Sequence, residues 1–284
     1  MNNYAEKIEN MIDYHKVINK LRTFFTLKGG IETFPQHLQT ILAACEDPQT
    51  ITMYNFSKTD FPMIQTNQMN LENIILLNPQ LESVYCSTTS YRDEPNPIPG
   101  RHEKSFQMFE FEKKGDVTDL LNLLKELLVY LGFNKEKFVE YDYDELCEKY
   151  DTPILHAEHE TLMYKEFGPV VFIKNFPERT SPFWNMNFSG NYNKGEKLYD
   201  KIDCILCGQE TIGSASRSCD VDEMRNNFNT ISGGEYAEIL YNKFGKERVD
   251  EELDYFLSLN MIKRFGAGCG VQRLYRAMVL EKLL

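Results

Sequence analysis

Regularly spaced glycines and two arginines are the first residues in this sequence that point to chemistry. Gly266, Gly268 and Gly270 alternate along one short segment, and Arg273 follows them. Glycine at every second position removes the side chains from one face of a strand, so a flat ligand can approach the backbone. An arginine opposite an aromatic ring can hold a purine by cation–π stacking, and a second one such as Arg92 can bind a phosphate bidentately. Because neither GxxxxGK[ST] nor GxGxxG occurs, we predict a nucleotide site of neither the P-loop nor the Rossmann type.

A long loop between two predicted strands carries further candidates for this site. Segments 84–91 and 106–112 have the composition of strands, and the PNPIPG run at 95–100 excludes regular structure. The sequence therefore predicts a hairpin with a proline-rich connection. Around it lie side chains that can bind phosphate, pair with a base or stack on a ring: Arg92, Glu94, Arg101, His102 and Phe106. Phe106 alone would also suit a core, and His102 would suit a plain turn.

Two acids that flank an apolar run form a candidate metal site. Asp203 and Glu210 are seven residues apart, on either side of a predicted buried strand. Mg²⁺ typically takes one or two carboxylates together with phosphate oxygens, so a nearby polyphosphate would complete its coordination. Arg217, seven residues further on, has the charge to hold an amino-acid carboxylate.

These groups, in this order, resemble the three signature motifs of class II aminoacyl-tRNA synthetases. The first motif is a long helix and a strand that ends in proline, here LRTFFTLKGGIETFP with Pro35. The second is an R-x-E hairpin with a distal phenylalanine, here YRDEPNPIPGRHEKSFQMFEFE. The third is G-x-G-x-G-x-x-R, here Gly266 to Arg273. One GxGxG string is unspecific, whereas three motifs in order over nearly the whole chain are specific.

Further segments are similar to the aspartyl and asparaginyl enzymes of this class. KNFPERTSPFW resembles their NFP…PFY stretch, and GQETIGSASR resembles their G-x-E-I-x-G-x-x-x-R segment, whose arginine the lysyl enzymes lack. QTNQMNLE resembles their substrate-binding helix, with Gln68 at the shared glutamine. Leu71 takes the position of the lysine that is found in the aspartyl enzymes, and Glu72 takes the position of the glutamate that is found in the asparaginyl enzymes. Both cannot face the site from one helix, so Glu72 either lines the pocket or faces solvent.

The resemblance implies how ATP and Mg²⁺ would be bound. Arg92 and Arg273 would be the catalytic residues: Arg92 would bind the α-phosphate, and Arg273 would stack on adenine opposite Phe106. Glu94 would contact the adenine amino edge, and Arg101 or His102 would contact the outer phosphates. Adenine would lie against the open face at Gly268 and Gly270. Asp203 and Glu210 would bind Mg²⁺.

The resemblance also implies an amino-acid pocket. Gln68 and Glu110 would lie near the substrate ammonium, and Arg217 would bind the α-carboxylate. Glu72 would accept hydrogen bonds from an amide or ammonium group and disfavour a second carboxylate. The segment before Gly266 lacks the Pro-His element that is usual in the family.

The remaining patterns predict one α+β domain over residues 1–284, with a mostly antiparallel sheet flanked by helices. Residues 44–62 are predicted to be irregular. Expected helices cover 4–28, 66–78, 117–132, parts of 143–165, 233–244, 250–259 and 271–284; further strands are expected at 31–34, 170–173, 202–206, 211–216 and 266–270. His156 and His159 have the helical spacing of two metal ligands, but no third ligand follows, which favours a solvated helix face.

Composition limits the classes of function. The net charge of −12 disfavours, without excluding, tRNA as a partner, because nucleic-acid binders usually carry a basic surface. The seven scattered cysteines predict reduced thiols, with Cys204 and Cys207 as buried residues on opposite strand faces. Without a secretory signal or a long apolar run, we expect a cytoplasmic protein that does not enter the membrane. The resemblance implies a homodimer through the first-motif helix, and we expect the chain to have no anticodon-binding barrel, the domain that precedes this helix in the family.

The predicted reaction is ATP-dependent, AMP-forming activation of an aspartate- or asparagine-type amino acid through an acyl-adenylate. The favoured acceptor is ammonia or another amine without tRNA, as in truncated asparaginyl-synthetase paralogues that make asparagine. One alternative is a standalone transferase that acts on tRNA, a carrier protein or a small metabolite. Another is an inactive regulator that only binds an amino acid or RNA, which the intact arginines and acids disfavour.

Overall fold

The computed structural model describes residues 10–35, 38–42 and 48–284. Its main sheet has nine strands. Side chains alternate along each central strand, so one face of the strand is apolar and the other is polar or glycine. The strands of the described chain are β1 Ile31–Glu32, β2 Met53–Phe56, β3 Thr59–Pro62, β4 Ser83–Tyr91, β5 Ser105–Lys114, β6 Phe138–Asp142, β7 Val170–Pro177, β8 Phe188–Asn193, β9 Glu196–Leu206, β10 Gln209–Arg217 and β11 Arg264–Gly270.

The order across the main sheet is β1-β4-β5-β11-β10-β9-β7-β6, and β8 pairs with β9. The pairs β1–β4 and β6–β7 are parallel, and the other pairs are antiparallel. Strands β2 and β3 form a separate hairpin. The predicted α+β class with a mostly antiparallel sheet is confirmed.

Helices cover both faces of the sheet. The clearest local signal belongs to the third helix, where Asp116 and Asp119 form a reciprocal capping box and Gly132 ends the helix in a left-handed conformation. The helices are α1 Met11–Leu27, α2 Gln68–Leu77, α3 Val117–Leu131, α4 Tyr143–Lys149, α5 Ala157–Phe167, α6 Val221–Thr230, α7 Glu235–Phe244, α8 Lys246–Leu257 and α9 Val271–Leu280. None of the helices in the described ranges has the length and apolar character to cross a membrane.

The core is divided between the two sheet faces. On one face α1, α3 and α9 pack on the apolar side of the central strands, including Phe109, Phe265 and Ile212. On the other face α2 and α6 to α8 form one cluster and α4 and α5 form another, towards opposite ends of the sheet. The centre of this second face, where Gly266 and Gly268 alternate, lies between these clusters. The sheet therefore presents an open strip of β5, β11, β10 and β9.

Several local expectations need correction. Of the region predicted as irregular, residues 53–62 form the β2–β3 hairpin, which turns at Ser57 and Lys58 with positive φ. Strands β6 and β8 were not predicted, and β1 is shorter than expected. Residues 4–9 of the predicted first helix lie outside the described residues.

Two further expectations about side chains are wrong. His159 does not lie on a solvated face: it is buried, and its Nδ1 accepts the backbone NH of His156 at 2.8 Å as part of a helix cap. Cys204 and Cys207 are buried thiols as predicted, but they belong to one apolar cluster, because Cys207 lies in the turn after β9 with a φ of 47°.

Candidate active site

A cavity of about 740 Å³ occupies the open strip of the sheet. It lies where α2 and α5 leave the strands uncovered, so its floor is backbone and small side chains. Ten of the predicted site residues line it: Arg92, Glu94, Arg101, His102, Phe106, Glu210, Arg217, Gly268, Gly270 and Arg273. The other predicted residues, Gln68, Glu72, Glu110 and Asp203, are buried behind the lining.

The β4–β5 hairpin supplies one wall. Arg92 follows β4 and pairs through its backbone NH with the Lys104 carbonyl at 2.9 Å. Its guanidinium lies 5.5 Å from the centre of the Phe106 ring, so charge and ring share one side of the cavity. His102 lies among arginines, and burial first, then the charges of Arg273, Arg101 and Arg92, lower its pKa against the opposing effect of Glu94.

The proline-rich loop folds back onto the strands and α9. Arg101 forms an ion pair with Glu160 of α5 and donates to the Gly208 carbonyl at 3.0 Å. Gln209 of β10 donates to the Gly100 carbonyl at 3.3 Å, so the loop is also bonded to the start of this strand. Arg101 and His102 both line the cavity, but the Arg101 guanidinium is already held by Glu160, which the sequence analysis did not identify.

Asp203 and Glu210 lie on adjacent antiparallel strands, β9 and β10. Asp203 is 6% exposed; one carboxylate oxygen is 2.9 Å from the Lys201 ammonium. The other has no hydrogen-bond partner among the described residues. Burial, opposed by Lys201 and reinforced by Glu210, raises the pKa of Asp203 to about 7.

These two acids fit a Mg²⁺ site in which the protein supplies only two of the ligands. In the described part of the chain no group of three or more histidine, cysteine, aspartate and glutamate side chains is arranged to hold a metal. Two carboxylates with an open oxygen are nevertheless the protein share expected when phosphate oxygens complete the coordination. Lys201, which also lines the cavity and lies 4.2 Å from the Phe176 ring centre, is a cation that the sequence analysis missed.

Arg217 lies at the other end of the cavity and is held by two neighbours. Its Nη2 donates to Gln68 at 2.8 Å, and its Nε donates to Glu112 at 3.2 Å. The space over Gly266 is filled by this arrangement: a Cβ on Gly266 would lie 1.7 Å from Oε2 of Glu112. All three glycines line the cavity, but a Cβ on Gly268 would lie 2.6 Å from Cε of Met108. The open glycine face predicted for the ligand therefore holds at Gly270 but not at Gly266 or Gly268.

Glu72 takes neither of the two positions considered for it. It is fully buried, so the solvent-facing alternative is wrong, and its Oε2 accepts two hydrogen bonds from Arg264, at 2.6 and 3.1 Å. Its Oε1 accepts from Asn185 at 2.8 Å and lies 3.4 Å from Nε of Arg217. Leu71 packs in the apolar cluster instead. Strand alternation could have identified Glu112 and Arg264, each two residues from a predicted site residue.

Glu110 is directed towards the start of α2 rather than into the cavity. Its carboxylate accepts hydrogen bonds from the Thr66 hydroxyl and from the backbone NH of Asn67, the latter at 3.0 Å. Burial raises its pKa, and these hydrogen bonds oppose the shift. Glu110 thus fixes the helix that carries Gln68 and Glu72.

Comparisons with known proteins identify the family and the fold of the chain. A family model described as class II tRNA synthetases (D, K and N) matches residues 3–283. Lysine–tRNA ligase of Aquifex aeolicus (strain VF5) is 27% identical over 135 residues, which are 45% of this chain and 22% of that protein.

Solved structures with the same fold cover nearly all of this chain. Asparaginyl-tRNA synthetase of Pyrococcus horikoshii, complexed with asparaginyl-adenylate, superposes with a TM-score of 0.76 at 22% identity, over 95% of this chain and 65% of that one. The Entamoeba histolytica enzyme with asparaginyl-adenylate gives 0.71 at 18% identity, over 97% and 65%. The chain thus spans less than two thirds of the length of these relatives. By its matched family model, the chain belongs to the class II tRNA synthetases of the aspartate, lysine and asparagine type.

Proposed function

We propose that this chain uses ATP to activate an aspartate-type amino acid as an acyl-adenylate and then transfers the acyl group to ammonia or another amine without tRNA. The observation that carries the proposal is a single cavity shared by Arg92, Phe106 and Arg273 at one end and Arg217 at the other, with Glu210 also in its lining. The relatives whose structures contain asparaginyl-adenylate support an adenylate as the bound intermediate.

In the first step a carboxylate oxygen of the amino acid attacks the α-phosphorus of ATP. A new oxygen–phosphorus bond forms, and the bond to pyrophosphate breaks. Arg92 and Arg273 would offset the charge that develops on the α-phosphate, and the geometry of the cavity would hold the two reactants together. Mg²⁺ held by Asp203 and Glu210 would neutralise the polyphosphate.

In the second step the amine nitrogen attacks the acyl carbon and AMP leaves. Nitrogen loses a proton to solvent as the amide forms. A small amine is favoured over tRNA because the net charge of −12 opposes RNA at a distance. The names of the relatives, all tRNA ligases, favour the second candidate, transfer of the acyl group to tRNA or another carrier.

We also propose that α1 and β1 form a homodimer interface. Large apolar side chains on or next to these elements are exposed in the single chain: Met11, Ile12, Leu27, Ile31 and Phe34. Leu27, Ile31 and Phe34 are close in the chain where the helix meets the strand, and apolar side chains grouped in this way are typical of a surface that is covered in the assembled protein.

The test is a pyrophosphate-release screen over the amino acids, with and without ammonia and with and without tRNA. Release with aspartate and ammonia, with AMP and amide as products, is the expected result. Dependence on tRNA would favour the second candidate. Binding of an amino acid without pyrophosphate from any substrate would favour an inactive regulator.

A further inference from the structure

Four buried charges form one cluster beneath the amino-acid end of the cavity: Glu72, Glu112, Arg217 and Arg264, which we call the four-charge cluster. All four side chains are at most 1% exposed. They alternate in sign, since Glu112 contacts Arg217, Arg217 approaches Glu72, and Glu72 contacts Arg264. Only Arg217 among the four lines the cavity.

Arg264 uses its guanidinium entirely within the protein. Two of its nitrogens bind Oε2 of Glu72, and Nη1 donates to the carbonyl of Ile262 at 3.2 Å. Glu72 in turn has both oxygens engaged, since Oε1 accepts from Asn185. Glu72 is engaged by these hydrogen bonds and does not line the cavity, so it is not placed to accept a hydrogen bond from an amide or ammonium group of a substrate.

The charges of the cluster balance. The pKa of Glu112 is about 7, so above this pH two carboxylates and two guanidinium groups sum to zero, whereas the same cluster without Arg264 would carry one net negative charge. In that case Arg217 would be the cation shared between Glu72 and Glu112, and a substrate carboxylate would meet an uncompensated negative charge in a desolvated site.

We infer that Arg264, by neutralising Glu72, makes the amino-acid pocket select a dicarboxylic amino acid such as aspartate over its amide. Arg264 is a positioning residue in this account, because it acts through Glu72 and Arg217 and does not touch the substrate. The inference rests on the proposed function and specifies its substrate class. It concerns the orientation in which the β-carboxylate meets Arg217, because the α-carboxylate is common to aspartate and asparagine and cannot distinguish them.

The experiment compares wild type with Arg264→Gln, Glu72→Gln and the Glu72→Gln/Arg264→Gln double variant. At pH 8, where Glu112 is ionised because its pKa is about 7, the cluster charges are zero, −1, +1 and zero in that order. Aspartate and asparagine binding is measured by calorimetry with a non-hydrolysable ATP analogue, and pyrophosphate release is measured in parallel. We expect wild type to prefer aspartate. Arg264→Gln should lower the aspartate-to-asparagine affinity ratio on the order of tenfold or more, through KM rather than kcat, and the double variant should restore it.

Each outcome decides the inference. An unchanged ratio in folded Arg264→Gln, or a wild type that prefers asparagine, overturns it. If Arg264→Gln does not fold, Glu72→Gln and the double variant differ by the same single charge, and equal ratios in these two would overturn it. A wild type that binds aspartate selectively but releases no pyrophosphate would refute the proposed function while leaving the selectivity of the pocket supported.

Discussion

Arg273 donates a hydrogen bond from Nη1 to the backbone carbonyl of Glu210, at 2.5 Å. Its Nη2 lies 3.2 Å from the Arg101 carbonyl, so one guanidinium joins α9, β10 and the hairpin loop. The residue predicted to stack on adenine is therefore fixed to the backbone of a predicted Mg²⁺ ligand. We expect the nucleotide and the metal to be positioned by one rigid unit.

Replacement of Arg273 should test the nucleotide site. Arg273→Ala removes a charge that would face the reacting phosphate and also releases the Glu210 carbonyl. We expect the loss of transition-state stabilisation to be about 2–4 kcal/mol, which is roughly 30- to 1000-fold in kcat/KM. Arg225→Ala, at a half-exposed arginine paired with Asp254, should leave kcat/KM unchanged. ADP and phosphate as products would contradict the assignment in any variant.

The acid pair should bind metal only together with ATP. Two carboxylates are too few to hold Mg²⁺ tightly until phosphate oxygens join them. Glu210→Gln should abolish turnover and leave the melting temperature close to that of wild type, whereas Glu251→Gln at an exposed helix position should change neither. Mn²⁺ titration followed by electron paramagnetic resonance, with and without an ATP analogue, gives the metal affinity directly. Near-normal turnover of Glu210→Gln would remove this residue from the metal site.

The sequence predicted the elements whose signal is local. The strands of the β4–β5 hairpin, the helix predicted over 117–132 and the glycine alternation of β11 depend on neighbours one to four residues apart, and all are present. Strand alternation indicates that Arg264 shares a face with Gly266. No local pattern pairs Arg264 with Glu72, which is 192 positions away. Sequence position placed Glu72 near the amino-acid end of the site, but only tertiary contacts determine what neutralises it.

The same limit applies to Glu110 and Gly266. A glutamate and a glycine at motif positions predict residues that the ligand can contact. Instead, Glu110 accepts hydrogen bonds at the start of α2, and a Cβ on Gly266 would collide with Glu112. A motif identifies the residue type at a position, whereas burial and hydrogen-bond partners decide whether the ligand can reach it.

The exposed apolar face of α1 and β1 should control the oligomeric state. Leu27 is 76% exposed and Phe34 is 86% exposed. Burial of one such side chain contributes about 1.5–3 kcal/mol, so Leu27→Asp/Phe34→Asp should weaken the dimer by roughly two orders of magnitude or more. Sedimentation velocity measures this change. Tyr255→Asp, at a 52% exposed position on α8, is the control and should leave the sedimentation coefficient unchanged. A monomeric wild type would refute the interface.

Two glycines of the same strand should differ in their tolerance of a methyl group. At Gly266 a Cβ would lie 1.7 Å from Glu112 and 2.7 Å from Nη2 of Arg217, whereas at Gly270 its nearest neighbour would be 3.8 Å away. Gly266→Ala should therefore displace the charges that hold Arg217 and cost about 3 kcal/mol or more of unfolding free energy. Gly270→Ala should cost less than about 1 kcal/mol without ligand, since its φ of −70° suits alanine. Urea denaturation of the two ligand-free variants measures the difference, and equal costs would contradict the packing over Gly266.

Glu112 should make the stability of the protein depend on pH. Burial raises its pKa from 4.5 to about 7, with the Glu72 charge adding to the rise and Arg217 opposing it. The folded state thus keeps a proton on Glu112 that the unfolded chain has already lost. The stabilisation from this proton is complete below about pH 4.5 and is lost as the pH rises through about 7.

Across that window Glu112 should lower the unfolding free energy by up to about 1.4 kcal/mol per pH unit. Glu112→Gln cannot ionise and keeps an oxygen that accepts from Arg217, so the unfolding free energy of this variant should fall less steeply between pH 5 and pH 7, and the gap between variant and wild type should shift in favour of the variant towards pH 7. Chemical denaturation at half-unit pH steps measures both curves. Parallel curves for the two proteins over this range would show that Glu112 does not change its protonation on folding.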